Sequence, residues 1–105
     1  KRNGPRPTFT ESTYSFGKVR KGQKVNAEFK FRNDGKSPFK VYKVDADGKI
    51  ACSGVPDAGP GETVSFKVEL DTSGLSKGET LTIVTLTTNS PLRPIVNLFI
   101  AGFIE

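Results

Sequence analysis

The sequence contains no histidine, no methionine and no tryptophan, and one cysteine among its 105 residues. Without histidine, the chain lacks the side chain most used as a general base near neutral pH and the commonest metal ligand. A zinc or iron site would have to be built from carboxylates and one thiol, so no metal or other cofactor is expected. Cys52 cannot close a disulfide within the chain. A chain of this length folds without bridges, so cysteine usage does not indicate a compartment. The absence of methionine leads us to expect that the natural translation start, and any targeting segment, lie outside this sequence. With no tryptophan, and with Tyr14 and Tyr42 far apart, the aromatic platforms of a carbohydrate-binding surface are not in view.

Long apolar runs are missing too. About a third of the residues are apolar (34%), enough for a modest core. No run approaches the roughly eighteen consecutive apolar residues that cross a bilayer. The longest, Leu98-Phe99-Ile100-Ala101, is strand-sized, so no membrane span is expected in this fragment.

What the sequence does contain is alternation. Val25, Ala27, Phe29 and Phe31 interleave with Asn26, Glu28, Lys30 and Arg32, which buries one face of a strand and wets the other. Val64, Phe66, Val68 and Leu70 alternate with Ser65, Lys67 and Glu69 in the same manner. Between residues 95 and 104 both parities are apolar, which predicts a central strand or one covered by the leading residues. Turn chemistry separates these runs at Asn33-Asp34-Gly35, Pro60-Gly61, Ser73-Gly74 and Asn89-Ser90-Pro91. Three short stretches, beginning at Gly22, Gly61 and Gly78, place a glycine and an acid or amide just before a strand and read as tight turns. No helical periodicity extends over a dozen positions; one short helical turn is expected around residues 73–77.

These signals predict an all-β, immunoglobulin-like two-sheet β-sandwich of about seven strands, near 8–10 with 14–19, 24–33, 39–45, 50–54, 62–70, 79–88 and 95–104. Residues 1–7, with two prolines, a glycine and three basic side chains, read as a flexible lead-in segment or linker; residues 8–105 read as one domain. Phe16, Phe29, Phe31, Phe66 and Phe99 are the expected core aromatics.

The net charge of +5 is unevenly placed: residues 1–49 hold about thirteen of the sixteen Lys and Arg against five acids. Such asymmetry can mark an anion-binding face, but Glu11, Glu28, Asp34 and Asp45 interrupt it. Lys30, Arg32, Lys40 and Tyr42 are the candidate partner-binding residues. They would share a face if their strands formed a hairpin, and would be divided in an immunoglobulin arrangement. Nucleic-acid binding is therefore disfavoured. Asp45 and Asp47 beside Gly48 lack the remaining ligands of a twelve-residue calcium loop and read as turn residues. No phosphate-binding glycine loop and no activated nucleophile is recognisable, so the chain is not expected to be an enzyme.

Several landmarks occur in a familiar order: Phe16-Gly17-Lys18-Val19, Lys21-Gly22-Gln23, Phe29 to Lys36 with Pro38, Pro60-Gly61-Glu62, Thr88-Asn89-Ser90-Pro91 and Leu98 to Gly102. In these the sequence resembles the bacterial DUF1573 family, frequent in Bacteroidetes and similar to the ASH and major-sperm-protein group of immunoglobulin-like domains. The resemblance covers residues 9–104. It departs at Ile50-Ala51-Cys52-Ser53-Gly54, where many members carry a cysteine pair, so it supports no redox or metal role; Cys52 reads as a half-buried small hydrophobe. The resemblance implies a non-catalytic interaction or scaffolding module of a cell-envelope protein, in the periplasm or at the cell surface. The expected partner is a protein and the expected state a monomer. The alternatives are a structural spacer, and an anion- or nucleic-acid-binding module that uses the basic half.

Overall fold

Strand β3 (Lys24–Asn33) realises the alternation in full: Val25, Ala27, Phe29, Phe31 and Asn33 are buried, and every residue between them is exposed. The computed structural model describes residues 4–52 and 54–105. Around β3 it places β1 (Pro7–Phe9), β6 (Thr63–Asp71) and β5 (Ile50–Ala51), in the order β1-β3-β6-β5. The second sheet has the order β2-β8-β7-β4, from β2 (Thr13–Val19), β8 (Ile95–Ile104), β7 (Gly78–Thr88) and β4 (Val41–Ala46). Neighbouring strands are antiparallel except for β2 and β8, which are parallel. This is the expected immunoglobulin-like sandwich. Among the described residues no helix is long and apolar enough to cross a membrane.

The core lies between the sheets. Phe29, Phe31, Phe66, Val68 and Leu70 meet Val84, Leu86, Val96, Leu98 and Ile100 from the opposite layer. Phe31 is fully buried and centres an aromatic cluster, with ring centroids 5.1 Å from Phe9, 5.1 Å from Phe39 and 6.2 Å from Phe66. Each side chain of this size contributes about 1.5–3 kcal/mol by leaving water.

Four expectations need correction. The first strand is two: β1 pairs with β3, and after three residues the chain crosses to the other sheet, where β2 pairs with β8. Eight strands result. Phe99 faces outward and is only half-buried, whereas Phe39, absent from the expected core, is completely enclosed. Phe16, by contrast, packs on the core as expected, half-buried, with its ring over Gly102 in the space a Cβ there would need. The strand expected at 50–54 shortens to Ile50–Ala51, with Ser53 outside the described residues, and the helical turn is a 3-10 turn at Thr72–Gly74.

The expected lead-in is also more ordered than its composition suggests. Lys1 to Asn3 lie outside the described residues, but Pro5 and Pro7 are buried. Arg6 donates its N–H to Asn33 Oδ1 at 3.1 Å, and Asp34 N–H donates to Arg6 C=O at 2.8 Å. Asn33 is fully buried and fully paired: its Nδ2 also donates to Ser37 C=O at 2.7 Å and Ala58 C=O at 2.9 Å. Gly22 and Gly61 sit in tight turns just before their strands, with φ of 99° and 81°, a left-handed backbone that glycine adopts without strain; Gly78, with φ of 108°, is instead the first residue of β7 and follows a bend.

Candidate functional site

The two outer faces of the sandwich differ in chemistry, and the difference follows from which residues the ladders align. On the first sheet, Lys24 lies opposite Asp71 and Glu28 opposite Lys67. Such cross-strand opposite charges suit a solvated face.

On the second sheet, the β7–β8 ladder sets Leu81 opposite Ala101, Ile83 opposite Phe99 and Glu79 opposite Phe103. Residues directly opposite share a face. These side chains belong to the outward parity of both strands, since Thr82, Val84, Leu98 and Ile100 are the buried ones. The result is an apolar strip left open to solvent, with Leu81 54% exposed, Ile95 53% and Phe103 40%. A β8 with apolar residues at both parities is thus central, between β2 and β7, yet its outer side is uncovered. The leading residues do not reach it, because β1 is held in the other sheet.

Polar groups frame the strip. Lys18 places its Nζ 6.0 Å from the centroid of the Phe103 ring. Beside it, Gly17, Glu79, Ala101 and Phe103 line a shallow depression of about 450 Å³. Across the strip, Thr85 Oγ1 donates to Asn97 Oδ1 at 2.9 Å, and Asp47 Oδ1 accepts the Ile83 N–H at 2.8 Å. At the β4 margin, Lys43 Nζ and Asp45 Oδ2 pair at 3.4 Å, and Tyr42 stands 68% exposed where the ladder slips between Val41 and Lys43.

The four candidates read from the sequence are not brought together. Lys30 and Arg32 project from β3 in the first sheet, while Lys40 and Tyr42 belong to the β4 margin of the second. Arg32 Nε pairs with Asp34 at 3.0 Å and Lys40 Nζ with Asp57 at 3.3 Å. Asp45 and Asp47 are engaged in the contacts above. Cys52 is half-buried and packs against the core. Among the described residues, no three His, Cys, Asp or Glu side chains form a group able to hold a metal ion. Leu81 and Ile83 are not among the partner-binding candidates read from the sequence, although Leu81 to Leu86 holds apolar residues at both parities, the same signal that marks β8.

Fold and surface together define the class: an immunoglobulin-like sandwich with one charged outer face and one that carries an apolar strip in a polar frame. The sequence matches the DUF1573 family, described as a protein of unknown function, over residues 7–104, and the chain belongs to that family. Its structure is similar to a protein of unknown function from Porphyromonas gingivalis W83, with a TM-score of 0.78 at 13% identity. That match covers 98% of this chain and 49% of the other, so the chain spans about half the length of that protein. It is also similar to the ASH/PapD-like domain 7 of human CEP192, with a TM-score of 0.74 at 9% identity, covering 100% of this chain and 89% of that one. The periplasmic chaperone SfaE matches with a TM-score of 0.55 at 11% identity over 95% of this chain and 57% of its own. At these identities the likeness is one of fold. No curated protein matches the sequence.

Proposed function

We propose that the chain acts as one non-catalytic protein-interaction module of a bacterial cell-envelope protein, and that the open face of the second sheet is its docking surface. The observation that carries this reading is the uncovered strip of Leu81, Ile83, Ile95, Phe99 and Phe103. Apolar side chains gathered on one face mark an interaction site far better than the same residues scattered singly. Its polar frame of Lys18, Glu79, Lys43 and Asp45 follows the usual anatomy of an apolar centre with a charged rim. Likeness in fold to a periplasmic chaperone supports a place outside the cytoplasm, and likeness to the Porphyromonas protein supports a bacterial setting. The nucleic-acid alternative is weakened by the division of Lys30 and Arg32 from Lys40 and Tyr42, and by the ion pairs that engage two of the three cations.

A photo-crosslinking amino acid at Leu81 tests the proposal, with the same probe at Lys67 on the charged face as the comparison. In envelope extract, a discrete protein adduct is expected from position 81 and not from 67, and Phe103→Glu should abolish it. A structural spacer would give no saturable adduct at either position, and that result would overturn the reading.

A further inference from the structure

At the edge where the chain crosses between sheets, β1 and the start of β8 border a cleft, and each has a paired strand on one side only. Along β1, Arg6 C=O accepts from Asp34 and Thr10 N–H donates to Lys30 C=O at 3.1 Å, so the even-numbered residues face β3. Backbone groups alternate sides along a strand, which turns those of Pro7 and Phe9 the other way, and β1 is the edge of its sheet. β8 has the matching opening. Pro94 C=O accepts from Thr88 N–H on the β7 side, while Phe99 N–H donates to Ser12 C=O at 2.8 Å on the other. Ile95 and Asn97 share the parity of Phe99, but β2 pairs with β8 only from Phe99 onward. Their N–H and C=O groups therefore turn away from β7, on a side where no strand is paired alongside and beside the stretch whose Val96 and Leu98 line the cleft.

The side chains around this opening have one sign of charge. Arg6 and Phe9 from the β1 side, and Leu92 and Arg93 from the loop before β8, line a cleft of about 330 Å³ over Val96 and Leu98. No acidic residue lines it, and the ion pairs formed among the described residues use neither arginine. Leu92 is exposed at the mouth.

We propose that this cleft accepts an extended, acidic segment of a partner polypeptide as an added strand on β8. Its main chain would pair with Ile95 and Asn97, an apolar side chain would rest on Phe9 and Leu92, and carboxylates would meet Arg6 and Arg93. An unpaired strand edge is a template for another chain, and the planar guanidinium fork matches a carboxylate. The site adjoins the open face of the second sheet only at Ile95, whose main chain it uses while the side chain lies on that face.

The probe is a capped heptapeptide of alternating Glu and Val, titrated into the protein and followed by amide NMR. Saturable shifts are expected at Phe9, Ile95 and Asn97, with slowed hydrogen exchange at the Ile95 and Asn97 amides. Arg6→Glu with Arg93→Glu should weaken binding at least tenfold, and N-methylation of alternate peptide residues should abolish it. Leu81→Glu with Phe103→Glu should leave it unchanged, which separates this site from the open face. The proposal is overturned by an absence of saturable shifts. It is equally overturned if a Lys and Val counterpart, the N-methylated peptide or a single-stranded oligothymidylate binds as well as the acidic peptide.

Discussion

Ser90 Oγ donates a 2.6 Å hydrogen bond to the carbonyl of Pro5, 85 positions away in the chain, and both residues are buried. The same oxygen accepts the Arg93 N–H at 3.1 Å. One hydroxyl thus ties the stretch before β1 to the turn before the last strand. Ser90→Ala would leave a buried carbonyl and an amide without partners, at a cost of about 1–3 kcal/mol each when water cannot replace the bond. We expect a lower urea midpoint and earlier proteolytic cleavage near Pro5.

Asn33 serves four backbone groups, and its neighbour Gly35 leaves no room for a Cβ, which would overlap the Gly4 carbonyl and the Arg6 nitrogen. Asn33→Asp replaces two donors with acceptors facing the Ser37 and Ala58 carbonyls. It should destabilise more than Asn33→Ala. Gly35→Ala should displace residues 4–6, read as faster amide exchange at Arg6 and Asp34.

Phe31→Ala should cost about 3–5 kcal/mol, because the fully buried ring leaves a cavity among Phe9, Phe39 and Phe66. A melting temperature within a degree or two of the parent would refute its central place.

Gly102→Ala places a methyl group inside the ring of Phe16. Overpacking of this kind costs about 1–3 kcal/mol. The double variant with Phe16→Leu should recover part of the loss, a coupling that denaturant melts of the single and double variants will show.

Asp71 accepts the Ser73 N–H at 3.0 Å, and this bond, with the Ser73 side chain and the charges of Lys24 and Lys49, holds its carboxyl below the ordinary 3.8. A depressed folded-state pKa contributes stability above the unfolded value that is lost as pH falls through the folded one. Asp71→Asn should therefore lower the melting temperature at neutral pH, and the gap should close once the pH is well under 3.8.

Period-two alternation is a local signal, and where one parity alone is apolar it placed β3 and β6 within a residue or so of their observed bounds. It is uninformative where both parities are apolar, so it does not tell that Phe99 faces outward. Phe39 opens the expected strand 39–45, where only Phe39 and Val41 alternate with Lys40 and Tyr42 before Lys43 ends the pattern; its complete burial comes with a two-bond bridge to Ala58 that only the folded chain creates. The switch of the first strand between sheets rests on partners at Phe31 and Phe99, distant in sequence. The division of the basic candidates was legible once the sandwich was assumed. The open apolar face was half legible: β8 advertised it, and the ladder that adds Leu81 and Ile83 is a matter of register.

The contrast between the two broad sides bears on how copies of the chain would meet in concentrated solution. One side carries interleaved charges that stay hydrated, and the other offers a greasy band. Copies that stick through that band meet back to back, each presenting the same patch to the other.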